Sequence, residues 1–208
     1  AGEPFATPAQ ALAALGVAPL GAVFASALLQ PAFGVPEEPF AAFAPAAWQS
    51  GLHSALATAA SARASGDCAP LAAHVLGLVH ALGAVTVFRT ALEHYHRAWP
   101  ALAPRAEVLA GVITERADAA AHALAIAWNL PASLRSALAE HSAQRAPGAM
   151  SPLGRALYAG RLLGLAAVLR GHDALDEAGF RELLARKGLC DADAARLPGA
   201  AATRGAKR

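Results

Sequence analysis

Eight histidines are the residues of this sequence whose distribution is worth reading for chemistry: His53, His74, His80, His94, His96, His122, His141 and His172. A divalent metal that activates water typically needs three or more protein ligands. At least one is usually a carboxylate, which offsets the charge of the ion and takes part in proton transfer. His94 and His96 lie two apart on a predicted helix, so they do not share a face and read as a solvated helix end. Other signatures are missing. There is no G-x-G-x-x-G after a strand, no G-x-x-x-x-G-K-[ST], no G-x-S-x-G and no H-E-x-x-H. Cys68 and Cys190 are far apart and outside any C-x-x-C spacing, which gives neither a disulfide framework nor a zinc finger. They read as reduced thiols of a cytoplasmic protein.

The elements that would carry these histidines are helical. Of 208 residues 60 are alanine, the best helix former and a poor strand former, and no strand-type alternation lasts more than a few positions. Hydrophobic residues at 56 % and charged residues at 15 % exclude disorder over most of the chain. Thr7-Pro8 and Ser151-Pro152 each place a capping hydroxyl before a proline at the first helical position. Between such signals the predicted helices fall near 8–15, 19–29, 46–64, 70–82, 85–94, 104–115, 117–128, 131–143, 152–170, 174–187 and 191–197. A proline-rich loop runs from Pro31 to Pro45. The stretch Leu71 to Phe88 is uncharged and close to the minimum spanning length. With two histidines and two glycines inside it, it reads as a buried core helix that breaks at Gly83, and no membrane segment is expected. A net charge of +2 without a basic stripe argues against nucleic acid as a partner. The reading is one domain over 1–197, followed by a mobile basic tail, 198–208.

Ordered blocks then resemble a known family. Trp48-Gln49-Ser50-Gly51-Leu52-His53-Ser54 through Thr58-Ala59 is similar to the "W…HS…TA" helix of the HDOD domain, a divergent branch of the HD phosphohydrolase superfamily found in bacterial signalling proteins. Leu78-Val79-His80-Ala81-Leu82-Gly83 resembles that family's "LLHDIG" segment. Glu115 and Trp128-Asn129-Leu130-Pro131 resemble its "E…W-x-LP" block, and Glu140-His141 falls where a paired histidine is common. Ala11 to Gly16 resembles the "A…LG" opening of the middle of that domain. The similarity runs from about Pro8 to Leu197, with the first helices of the family unit removed or diverged.

The resemblance implies an all-α, compact multi-helix HD-like fold. It also implies where a metal site would lie, with ligands at His53, at His80 with Ala81, and at Gly160. Another family histidine falls at Ala117. Two imidazoles remain and both carboxylates are gone, so His53 and His80 read as vestigial, with no catalytic residue, no bound metal and no cofactor expected. His53, His80, His122 and His141 are candidates for lining a cleft. Trp48, Trp128 and Pro131 are expected as structural anchors, with Trp128 largely buried. The function implied is a non-enzymatic signalling or regulatory module that binds a protein partner or answers to an attached sensor domain. The alternatives are a metal-dependent phosphohydrolase acting on a nucleotide or phosphodiester, and a small-molecule-binding module. A partner surface is expected around Phe5, Phe24, Phe33, Phe40 and Phe43.

Overall fold

A computed structural model describes residues 17–34, 40–171, 173–187 and 189. The helix expected at 8–15, the one at 191–197, the basic tail, Phe5, His172 and Cys190 lie outside them. Among the described residues there are seven α-helices and no strand: α1 (Val17–Leu29), α2 (Phe43–Ser65), α3 (Pro70–Ala98), α4 (Ala106–Ala127), α5 (Ala132–Ser142), α6 (Pro152–Gly171) and α7 (Glu177–Arg186). Short 3₁₀ turns, Gln30–Phe33 and Pro147–Ala149, follow α1 and precede α6. The fold is the all-α, HD-like bundle expected from the sequence.

Small side chains set how the helices meet. The face of α2 that turns inward carries Ser54, Ala55, Ala57, Thr58, Ala59, Ser61 and Ala62, all buried. Opposite it, α6 presents Gly160 and Gly164. A β-carbon on Gly160 would run into Thr58, and one on Gly164 would lie 2.6 Å from the Ser54 nitrogen. Gly77 of α3 lies against the Ala55 backbone in the same way. The Ser54 hydroxyl is buried there without a hydrogen-bond partner, a cost of placing a hydroxyl where two backbones meet. Larger residues fill the space to either side. Leu76, Val79, Leu138 and Leu157 join α3, α5 and α6, while Leu163, Phe180 and Leu184 hold α7 against α6.

Two predicted breaks are absent. Helix α3 runs unbroken through Gly83, because that glycine is a contact and not an end: a β-carbon there would strike the Ala117 carbonyl and Ala121 of α4. Helix α4 likewise continues through 116, where two helices were predicted. The start of α2 at Phe43 places Pro45 in the first helical turn instead of in a loop. The other predicted helices among the described residues are present. Ser151 caps α6 as expected, its Oγ accepting from the Gly154 N–H at 3.1 Å. Among the described residues helix α3 alone is long and apolar enough to cross a membrane, and 61 % of its most apolar window is buried inside the bundle.

The expected aromatic surface is largely corrected as well. Phe33 is buried edge-on to Trp48, with ring centroids 5.1 Å apart, and Phe40 and Phe43 pack on Phe88. Phe24 stays open, beside Val23 and Leu28 on the outer side of α1.

If the α2–α6 contact sets the fold, Gly164→Ala should destabilise the protein by about 1–3 kcal/mol, the usual cost of overpacking. Gly111→Ala, on α4 with open space around it, should stabilise by roughly 0.5–1 kcal/mol. Urea unfolding of the two variants checks both signs; equal effects would mean that the glycine packing is dispensable.

Candidate functional site

Four helices bring their polar residues to one place. His80 lies in the middle of α3, Asp118 on α4, His141 at the end of α5 and Arg161 on α6. The approach of α4 to α3 at Gly83 brings Asp118 within reach of His80, whose Nε2–H donates to Oδ1 at 2.8 Å. Arg161 follows Gly160, the residue that seats α6 on α2, and donates from Nη1 to the other carboxylate oxygen at 3.1 Å. The same Nη1 lies 3.4 Å from His141 Nδ1. His141 then donates from Nε2 to the Gly154 carbonyl at 2.9 Å, so its tautomer is set by its two neighbours. The rings of His80 and His141 stand 6.0 Å apart, edge to face. Next to His141, Glu140 accepts from both the N–H and the hydroxyl of Ser151, fixing the end of α5 to the start of α6.

Burial decides the charges. It would raise the Asp118 carboxyl, but the hydrogen bond from His80 and the Arg161 guanidinium overcome it and hold the group at about 2. Desolvation pushes His141 down to about 4, the Gly154 carbonyl opposing and the positive charge of Arg161 assisting. Burial also lowers His80, against the pull of Asp118. Near neutral pH the group is thus one carboxylate, one guanidinium and two neutral imidazoles, a closed ion pair flanked by rings. Among the described residues no hydroxyl or thiol is hydrogen-bonded to His80 or His141.

The sequence reading is corrected here at several points. His53 does not join His80; it is half-buried and its Nδ1–H donates to Gln49 of its own helix at 2.8 Å. His122 lines a separate shallow groove with Ile126 and Arg135. Ala81 faces Gly51 across the α2–α3 contact, and Gly160 faces Thr58. Both positions lie at helix contacts. A carboxylate does lie beside His80, supplied by Asp118, one residue after Ala117. Asp118 and Arg161 were both missed. The available signal was a single acid within the alanine run 117–121.

Trp128 is 46 % exposed, not buried, and Pro131 is exposed at the N-cap of α5. Helix α4 ends in a left-handed residue, Asn129 at φ 49°, with Leu130 N–H bonded to Ala125 and Asn129 N–H to Ile126. This double closure turns Leu130 in against the core and leaves Trp128 outside. Trp48 does serve as an anchor, against Phe33.

The HDOD domain family model matches residues 2–144. The chain belongs to the HDOD domain family. No curated protein and no solved structure matches it. His80, Asp118 and His141 lie within the matched span, while Arg161, which closes the ion pair, lies beyond it. The wider HD superfamily implies a metal, and the donors of this HDOD domain do not fit one. Both Asp118 oxygens are engaged, the free lone pair of His141 faces a guanidinium, and among the described residues no three His, Cys, Asp or Glu side chains are grouped to hold an ion.

The depressed His141 value has a direct consequence for stability. An unfolded chain takes up a proton at this histidine near 6.5, whereas the native protein does so only near 4. Stability is therefore full above 6.5 and is lost as the pH falls towards 4. Between pH 7 and pH 5 the loss from His141 is about 2 kcal/mol. His141→Gln, which can still donate to Gly154, should remove about that much of the pH dependence in urea unfolding; an unchanged slope would place the titration elsewhere.

Proposed function

We propose that this HDOD domain is a non-enzymatic bacterial signalling module that works in the cytoplasm by binding a protein partner. The observation that carries the reading is the Arg161–Asp118 ion pair at 3.1 Å. The carboxylate that accompanies His80 is neutralised by a fixed guanidinium, and a dication would have to displace that cation and desolvate in its place. The partner half of the reading is supported by α1. Val23, Phe24 and Leu28 expose 59 %, 62 % and 79 % of their surface, within two turns of one helix. Large apolar side chains gathered on one side of a helix are a common anchor for another protein.

The purified protein, dialysed against manganese or zinc, should hold far less than one ion per chain by elemental analysis. It should also leave bis-p-nitrophenyl phosphate uncleaved. A photo-crosslinking residue at position 24 should give discrete protein adducts in the host cell, and the same residue at the exposed position 93 should not. About one ion per chain, with turnover abolished by His80→Ala, would overturn the non-enzymatic reading. Identical adducts at both positions would overturn the docking face.

A further inference from the structure

Away from the imidazole cluster, the second half of α3 and the first half of α4 enclose a cavity of about 550 Å³. Its floor is apolar: Val87 and Leu109 are buried, and Val112 is half-buried. Tyr95 and Trp99, four apart, form an aromatic wall with ring centroids 5.4 Å apart, and Trp99 stays 52 % exposed. The ionisable residues that line it are His94, Tyr95 and Arg116; no acid does. Arg116 reaches Glu115 at 3.0 Å, but both side chains are about two-thirds exposed, 67 % and 69 %. Such a pair contributes little, so the guanidinium is available to a competing anion.

We propose that this groove is a binding site for a small aromatic anion, its rings against Tyr95 and Trp99 and its acidic group on Arg116. The volume lies within the range of about 300–1,000 Å³ that takes a ligand of several rings. From Thr86 to Trp99 the groove follows α3 for roughly 20 Å, and a helix of that length and about 10 Å diameter would displace roughly 1,500 Å³. A partner helix would therefore sit mostly outside the cavity, whereas a multi-ring molecule fills it. Charge favours the anion, since Arg116 lines the groove and the Glu115 carboxylate beside it does not. Rings are selected by the wall, because stacking on Tyr and Trp contributes beyond buried area. This site is independent of the partner surface on α1 and of the His80 cluster.

The test uses two fluorescent probes of similar shape, 1-anilinonaphthalene-8-sulfonate and N-phenyl-1-naphthylamine, which lacks the sulfonate. The native protein should bind one sulfonate probe per chain. Arg116→Gln should weaken that binding roughly tenfold, the effect of one charge-assisted hydrogen bond, and leave the neutral probe unchanged. Thr90→Trp, at an exposed position of the wall, should abolish binding of both probes with the far-UV circular dichroism intact. If that variant loses helix, Val108→Asp at the rim gives the second reading and should weaken the sulfonate more than the amine. Equal losses of both probes in Arg116→Gln, or sulfonate binding untouched by the wall and rim variants, would overturn the proposal. A native dimer in sedimentation that becomes monomeric in Thr90→Trp would also overturn it, by showing that a second copy of this chain fills the groove.

Discussion

The near-contact of backbones between α2 and α6 is the constraint on which the rest of the molecule rests. Gly160 lies on Thr58 and Gly164 on Ser54 with no room for a β-carbon at either place. A core with one methionine and 6 % aromatic residues has few large side chains with which to fill space. It must therefore reach native packing density by bringing helices together instead of by interdigitating long side chains. Every close approach in this protein follows from that choice. Gly77 repeats it between α3 and α2, and Gly83 repeats it between α3 and α4. The alanine that makes the chain helical also makes its helices thin enough to touch.

Close helices fix the polar cluster as a by-product. Gly83 and Asp118 lie on facing stretches of α3 and α4, and Arg161 is the next residue after Gly160. The carboxylate, the guanidinium and the two rings consequently come from four different helices and meet within hydrogen-bond reach. The ion pair is partly buried, with Arg161 37 % and Asp118 27 % exposed, so removing one member leaves the other charge partly desolvated and unpaired. The cluster therefore favours one mutual arrangement of α3, α4, α5 and α6 more strongly than it favours the folded state as such. That is the behaviour of a clasp.

Legibility in the sequence followed the range of the forces involved. The alanine content, the Ser151-Pro152 cap and the apolar run of α3 act locally, and the helices they predict are present. Gly83 misled because a glycine within a helix looks the same whether it ends the helix or admits a neighbour. The turn after α4 misled for a related reason: its left-handed residue is Asn129 where glycine is the usual mark, so nothing announced that the chain would rotate Leu130 inward and Trp128 outward. Asp118 and Arg161 stand 43 positions apart, and no local pattern links two charges at that distance. His80 and His141, both named by the family blocks, stand 6.0 Å apart in the cluster. The same blocks also suggested Ala81 and Gly160 as former ligands, and those positions belong to helix contacts.

The placement of Arg161 bears on what kind of family member this is. The family match ends at 144, in the turn after α5, yet α6 supplies the cation that neutralises Asp118 and the glycines that seat on α2. The segment beyond the match is thus part of the core and of the clasp together. Without Arg161, Asp118 would keep one hydrogen bond from a neutral imidazole. Its carboxyl would rise, because the Arg161 charge is part of what holds it low. The chemistry of this HDOD domain turns on a residue that no motif at His53, His80 or Trp128 would have revealed.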